Sequence, residues 1–182
     1  MTAIRPFVPR PFPGSLLALL SLAAGVGPAL VSPALGEGTI VAGKFNSWTL
    51  HVNEGKSHKI CFVTSEPTGR EPAATARAAA LFYVSSWPKD GIKSEVSVKL
   101  GFTIKPGSEV KVGVDKESFK LFPKDERAFV ADTTQELKLV EAMKKGTKLT
   151  VQATGDRGSA VTDTYSLSGF SQALQALASS CP

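Results

Sequence analysis

Short runs in which apolar and polar residues alternate constrain the fold of this chain more than any other feature. Residues 48–53 place Trp48, Leu50 and Val52 on one side and polar residues on the other, and residues 95–103 repeat the pattern. A period of two indicates a β-strand with one buried face. Similar runs recur about every 8 to 12 residues with turn residues between them, which is typical of a β-sandwich. We therefore predict a mainly β fold, with a β-sandwich as the architecture and a barrel as the alternative.

The strand prediction extends along the rest of the chain. Residues 59–65 are apolar on both sides in the middle of the run, which favours a central strand. Asn53, Glu54 and Gly55 form a turn signal before it, so the first two strands are predicted to make a hairpin, and residues 66–77 are predicted to be a loop. Further strands are predicted at residues 79–87, 95–103, 110–114, 118–122, 128–131, 147–154 and 161–167.

One segment between the strands has the period of a helix. Asp132 is followed three residues later by Gln135, a spacing typical of a helix start. Leu137, Val140 and Met143 then recur at helical spacing, which predicts one short internal helix with these residues on its buried side.

A second helix is predicted at the end of the chain. Ser168 precedes the segment and can cap a helix through its hydroxyl oxygen. The apolar stripe of this helix is predicted to consist of Phe170, Ala173, Leu174 and Leu177.

The first 36 residues have the composition of an export signal. Arg5 and Arg10 are the charged residues of a start that contains no acid, residues 15–31 are almost entirely apolar, and small residues precede position 37. The apolar run of about 17 residues contains Pro28 and is shorter than the about 20 residues that span a bilayer. We predict a secretory signal peptide at residues 1–36 and one β-sandwich domain at 37–182, with a retained membrane anchor as the alternative.

Export changes the interpretation of the two cysteines, Cys61 and Cys181. In an oxidising compartment, two thiols in one domain are expected to form a disulfide. The bridge would join the second predicted strand to the residue before the C-terminus and close a loop of about 120 residues. A catalytic thiol would need an adjacent base, for which Cys181 at the chain end is poorly placed.

Two residue pairs carry candidate chemistry. Ser86 and Lys89 match the Ser-x-x-Lys acylation motif, but Pro88 between them is incompatible with the helix which that motif requires. His51 and His58 could flank a metal across the first hairpin, although two imidazoles without carboxylates are an incomplete donor set. We therefore predict no catalytic site, no metal site and no cofactor.

Asp163 is a candidate for a buried charge. It is in phase with Val161 and Tyr165, so the alternation directs its carboxylate inward. A buried carboxylate requires a partner, and Arg157 or Arg77 could supply one. We interpret this group as a structural ion pair or turn clamp, with ligand binding as the alternative.

A series of lysines could form a basic face for an anionic partner. Acidic residues alternate with these lysines, so we expect an ordinary solvated surface instead. The lysines are Lys93, Lys99, Lys105, Lys111, Lys116, Lys120 and Lys124. Trp48 and Trp87 are expected to be core or rim aromatics and not a platform for sugars.

Several short motifs follow one another in a distinctive order after the predicted leader. They are Trp48-Thr49-Leu50, Lys59-Ile60-Cys61-Phe62-Val63, Glu95-Val96-Ser97, Met143-Lys144-Lys145-Gly146 and Asp163-Thr164-Tyr165-Ser166-Leu167-Ser168-Gly169-Phe170, before Cys181. Their order resembles the invasion-associated locus B family over nearly the whole predicted domain. The resemblance implies an immunoglobulin-like β-sandwich in an envelope or secreted protein of a Gram-negative bacterium. It also implies a link to host-cell entry in some pathogens, and it does not imply an enzyme.

The expected function follows from the leader, the resemblance and the charge. We expect a non-enzymatic periplasmic or secreted protein that acts through its surface, in host-cell invasion or in envelope maintenance, on an unidentified protein or envelope component. A periplasmic small-ligand binding module is the alternative. The net charge of +5 falls to +3 without the two leader arginines, which is too small to indicate a nucleic-acid partner. Membrane contact is expected only through the leader before cleavage.

Overall fold

The computed structural model describes residues 38–55, 58–73 and 77–182. The predicted signal peptide at residues 1–36 lies outside the described residues. Within them the fold is mainly β, with one internal helix and one C-terminal helix, which confirms the predicted composition of elements.

Antiparallel hydrogen bonds join the strands of the described residues into one sheet. The strand order across the sheet is β1-β2-β3-β5-β6-β9-β8-β7-β10-β11-β4. The strands are β1 (Thr39–Phe45), β2 (Trp48–Glu54), β3 (Lys59–Ser65), β4 (Gly69–Glu71), β5 (Leu81–Trp87), β6 (Ile92–Lys99), β7 (Val110–Val114), β8 (Glu117–Lys124), β9 (Arg127–Val130), β10 (Lys148–Thr154) and β11 (Ala160–Ser166). The helices are α1 (Thr133–Lys145) and α2 (Phe170–Ser180).

The predicted first hairpin is confirmed as β2 and β3. Val52 pairs with Cys61 and Leu50 pairs with Val63, and all four side chains are buried. Because side chains alternate across a strand, this register places the apolar residues of both strands on the same inner face.

The sheet curls so that strands far apart in its order meet across the core. The rings of Phe82 on β5 and Tyr165 on β11 lie edge to face with centroids 5.7 Å apart. Trp48 on β2 donates a hydrogen bond from its indole nitrogen to the carbonyl oxygen of Ser166 on β11, over 3.1 Å. The inner face therefore encloses one hydrophobic core that both helices help to cover.

Helix α1 begins at the predicted cap and packs with a different residue set from the predicted one. The Asp132 carboxylate accepts a hydrogen bond from the Gln135 backbone N–H over 2.9 Å. Val140 and Met143 are buried as predicted, but Leu137 is 55% exposed and Leu139 is buried in its place. Successive residues advance about 100° around a helix, so Leu137 lies nearly opposite Leu139 and cannot share its buried side.

Helix α2 begins one residue later than predicted, and Ser168 is not its cap. Gly169 occupies the cap position with a φ of 89° and no side-chain capping bond. A Cβ at position 169 would collide with the carbonyl oxygen of Phe45, so only glycine fits this left-handed turn without strain. Phe170 at the first turn then packs against Trp48, with ring centroids 4.8 Å apart.

The two strands at the edges of the sheet were not predicted. Strand β1 precedes the predicted first strand, and β4 lies inside the predicted loop at residues 66–77. Most of β1 is exposed on both faces, including Ile40 and Val41, so its sequence carries no alternation of buried and exposed residues. No helix within the described parts of the chain is long and apolar enough to cross a membrane.

Candidate functional site

Aromatic side chains occupy the outer face of the sheet where solvent would be expected. Phe62 on β3, Tyr83 on β5 and Phe129 on β9 are each only half-buried and point away from the core. Tyr83 pairs with Ser97 on β6, and Ser97 pairs with Phe129 on β9, so the three residues lie side by side on neighbouring strands. Phe62 and Tyr83 have ring centroids 6.1 Å apart. The result is a band of aromatic surface that runs across four neighbouring strands.

Small residues between these rings leave a groove, which we call the aromatic groove. Its volume is about 540 Å³, and the aromatic rings and Trp87 form its walls. Ser85 and Ser97 line it and are 7% and 2% exposed, because the larger rings beside them cover them. The Trp87 indole nitrogen is buried and has no hydrogen-bond partner among the described residues, so its capacity to donate is unused.

Opposite charges lie at the two ends of the aromatic groove. The Arg127 guanidinium lies over the Tyr83 ring, 4.8 Å from its centroid, which is the geometry of a cation–π contact. Arg127 pairs with Lys99 on β6, whereas Glu95 lies four residues earlier on the same strand. Four residues of strand span about 13 Å between their Cα atoms, and the Arg127 guanidinium reaches from its end of that span to the Tyr83 ring. A partner in the groove would therefore meet a positive group at one end and a negative group at the other.

His51 extends the aromatic band on strand β2. Its ring stacks on Phe62 at 4.8 Å with an interplanar angle of 13°, and it shares a hydrogen bond of 3.0 Å with the Thr64 hydroxyl. Burial lowers the pKa of His51, which favours a neutral ring. His58 is exposed at the end of the hairpin. No cluster of three or more histidine, cysteine, aspartate or glutamate residues that could hold a metal occurs in the described segments.

Strand β3 carries a sequence signal for the groove. Residues 59–65 are apolar on both faces in the middle of the run, which predicts a central strand, and β3 does lie between β2 and β5. In the structure Cys61 and Val63 face the core, while Phe62 lies on the outer face and is half-exposed. An aromatic residue on the outward phase of a strand is thus the sequence signal for this surface.

Asp163 lies in the core and holds two arginines. Its carboxylate is fully buried and accepts two hydrogen bonds from Arg77, of 3.1 Å and 2.7 Å. The Arg70 Nε lies 3.5 Å from the same carboxylate, an ion pair that the sequence does not suggest, because it predicts a loop at residues 66–77. Arg157, the other candidate partner, is exposed on the turn before β11.

This cluster ties the edge of the sheet to the core. Arg70 on β4 pairs directly with Asp163 on β11, and the Ala78 backbone beside Arg77 donates a hydrogen bond to the Gly101 carbonyl oxygen. Burial raises the pKa of the neighbouring Tyr165 phenol, and the Asp163 charge raises it further. The geometry is that of a clamp, with a bidentate contact that fixes the arginine plane.

Cys61 and Cys181 form a disulfide with an S–S distance of 2.03 Å. Both residues are buried, and the bridge connects the middle of β3 to the residue that follows α2. It therefore attaches the C-terminal helix to the inner face of the sheet, below the aromatic groove.

The other candidate residues are engaged in ordinary contacts. The Ser86 hydroxyl is buried within hydrogen-bond distance, 3.3 Å, of the carbonyl oxygens of Ile92 and Cys181, while Lys89 is exposed on a short turn. Trp48 is fully buried in the core, whereas Trp87 lies at the groove.

The lysine series belongs to a surface of mixed charge. Lys99 pairs with Glu126 at 3.6 Å, and Lys120 pairs with Glu109 at 3.0 Å. Lys111 lies 3.9 Å from the same Glu109 carboxylate. Exposed ion pairs of this kind contribute little to stability.

Comparison with known proteins identifies relatives of this chain. A family model described as invasion associated locus B (IalB) protein matches residues 48–178. The crystal structure of invasion associated protein B from Bartonella henselae matches with a TM-score of 0.55 and 18% identity, and the match covers 75% of this chain and 94% of that chain. At that identity the structural match bears on the fold alone. No curated protein matches the sequence.

Proposed function

This chain belongs to the invasion-associated locus B family, and from that premise we propose that it is an exported, non-enzymatic protein that acts by binding another protein through the aromatic groove. The proposed site of action is the periplasm or the cell exterior, and the proposed role is in host-cell invasion or in maintenance of the envelope.

The aromatic groove is the observation that carries this proposal. Tyrosine, tryptophan and arginine are the residues most enriched at the energetic centres of protein interfaces. Here Tyr83, Trp87 and Arg127 lie around one groove of about 540 Å³. Exposed aromatic surface rimmed by polar residues is typical of interaction sites.

The groove also specifies the chemistry of that partner. Its rings favour an apolar ridge or side chain, and the buried indole N–H of Trp87 favours a hydrogen-bond acceptor beside it. Arg127 favours an acidic group at one end of the ridge, and Glu95 favours a basic group at the other. Charge complementarity of this kind fixes the direction in which a partner binds.

Two further observations support export and the absence of catalysis. The Cys61–Cys181 bridge suits an oxidising compartment, and residues 1–36 have the composition of a secretory leader. The Ser86 hydroxyl, a candidate nucleophile of the sequence, lies against backbone carbonyl oxygens.

We also propose that the domain at residues 37–182 is an immunoglobulin-like β-sandwich. The contact between Phe82 and Tyr165 supports this architecture, because it places two distant parts of the sheet face to face across the core. In this arrangement the helices cover one end of the sandwich, and the aromatic groove lies on the outside of one layer.

Site-specific photo-crosslinking in the cell of origin tests the proposed function. A benzoylphenylalanine at Phe129, in the groove, is compared with one at Leu137, which is 55% exposed on α1. We expect an adduct of defined mass from position 129 and none of that mass from position 137. The adduct should disappear when Arg127→Glu is added, because the charge at that end of the groove is reversed. Adducts of the same mass from both positions, or an adduct that survives the charge reversal, would contradict the proposal.

A further inference from the structure

A second groove lies beside the buried arginine cluster and is separate from the aromatic groove. It has a volume of about 400 Å³ and is lined by Arg77, Phe102, Thr103 and the turn at residues 155–159. Arg157 is on this turn and is exposed at the edge of the groove. The groove therefore has one guanidinium at its buried side and another at its solvent side.

The buried cluster has more positive than negative charge. The single Asp163 carboxylate is shared by Arg77 and Arg70, so one of the two guanidinium charges has no carboxylate of its own in this cluster. Arg157 adds a positive charge beside the groove, and Asp156 in the same lining offsets it. These five groups together carry a net charge of +1, held partly away from water, where an uncompensated charge is costly.

Arg77 also has unused hydrogen-bonding capacity. Its side chain is only 5% exposed, and both terminal nitrogens are used by Asp163. Its Nε is buried and has no hydrogen-bond partner among the described residues. Buried donors are normally paired, so this nitrogen is a position where a partner is expected.

Phe102 and the nearby backbone hold the Arg77 guanidinium in place. Its central carbon lies 5.8 Å from the centroid of the Phe102 ring, at the edge of the cation–π range. Gly101 has a φ of 75°, and a Cβ at this position would collide with the Ala78 carbonyl oxygen. The backbone next to Arg77 therefore packs directly against the Gly101 backbone. These neighbours thus hold the Arg77 guanidinium beside the groove.

We propose that this groove binds a small oxyanion, a carboxylate or phosphate group, between Arg77 and Arg157. A small displacement of the Arg77 side chain opens its Nε to the groove, where it donates to the oxyanion from the buried side, and the Arg157 guanidinium contacts the oxyanion from the solvent side. The anion balances the net positive charge of the cluster. This site goes beyond the proposed protein-binding function and does not depend on the aromatic groove.

Titration with inorganic phosphate, followed by ¹H–¹⁵N correlation spectra, tests this site. The Nε–Hε signal of Arg77 and the amides of residues 155–159 should shift and saturate with phosphate, and not with sodium chloride at equal ionic strength. A parallel titration with acetate identifies which oxyanion is preferred, and saturable binding of either one supports the site.

Two variants that each remove one exposed positive charge distinguish this site from general attraction of anions. Arg157→Gln should raise the dissociation constant for phosphate about two- to fivefold, the size expected for the loss of one exposed ion pair. Lys124→Gln, which removes a charge beside the aromatic groove, should leave it unchanged. Shifts that do not saturate, or equal weakening by both variants, would overturn the proposal. Failure here leaves the crosslinking result unaffected, because Arg157 does not line the aromatic groove.

Discussion

Replacing both Cys61 and Cys181 with alanine should destabilise the domain by a large part of its total stability. Alanine removes the cross-link without placing a new hydroxyl in a buried site, and both positions are buried. The bridge spans 120 residues of sequence. For a loop of that length, the chain-entropy model gives about 4.9 kcal/mol at 25 °C, and removal of native disulfides typically costs about 2 to 5 kcal/mol. Small domains are stable by only about 5 to 15 kcal/mol in total.

Urea denaturation followed by tryptophan fluorescence measures this loss, because Trp48 lies in the core against α2. The free energy of unfolding of the double alanine variant should fall by about 2 to 5 kcal/mol. The wild-type protein in reductant is the matched control and should unfold at nearly the same urea concentration as the variant. The m-values of the variant and of the reduced wild-type protein should exceed that of the oxidised wild type, since an unfolded chain without the cross-link exposes more surface. A loss below about 1 kcal/mol would show that the cross-link restricts the unfolded chain much less than the chain-entropy model gives.

Three other substitutions test separate parts of the account. Asp163→Asn should cost about 3 to 5 kcal/mol in urea denaturation, because it leaves two guanidiniums at a buried site without a carboxylate; an unchanged midpoint would contradict the clamp. Gly169→Ala should lower the free energy of unfolding by at least about 1 to 2 kcal/mol, because alanine is strained in the left-handed conformation and its Cβ collides with the Phe45 carbonyl oxygen. An unchanged free energy would be inconsistent with the left-handed turn before α2. Burial raises the pKa of Glu136 in the folded protein, so its ionisation lowers stability as the pH rises above the ordinary glutamate value. The free energy of unfolding of Glu136→Gln, relative to that of the wild type, should therefore increase as the pH rises above about 4.5 and stay constant below that pH. A difference that shrinks with rising pH would contradict this prediction.

The strands that were predicted from the sequence are those with one buried face. In β2 and β7 the buried core residues alternate with exposed or half-buried ones, so the local pattern contains the burial. Strand β1 has no such pattern, because Ile40 and Val41 are 59% and 57% exposed at the sheet edge. Its position depends on its pairing with β2, which a local pattern does not encode.

The aromatic groove was beyond local prediction for a related reason. The aromatic residues on the outward phase of β3 and β5 are visible in the sequence, but the order of the strands is not. Phe129 completes the groove only because β9 lies next to β6, across more than 25 residues of chain, in the pairing of Ser97 with Phe129. Such long-range neighbours are set by the packing of the whole sheet.

The buried ion pair was predicted in part. The alternation of β11 directed Asp163 inward, and the structure places it there with no exposure. Arg77 was one of the two suggested partners and is the closer of the two arginines in the clamp. Arg70 was missed because β4 consists of three residues and depends on its pairing with β11 for its structure.

We expect this chain to leave the cytoplasm and to fold around the closed Cys61–Cys181 disulfide. The most direct test is the intact mass of the protein purified from the envelope or culture medium, measured without reductant and with an alkylating reagent present. We predict a chain that begins at residue 37, lacks two hydrogens relative to the reduced form and takes up no alkyl group. A mass that still includes residues 1–36, or one that increases by two alkyl groups, would contradict the claim.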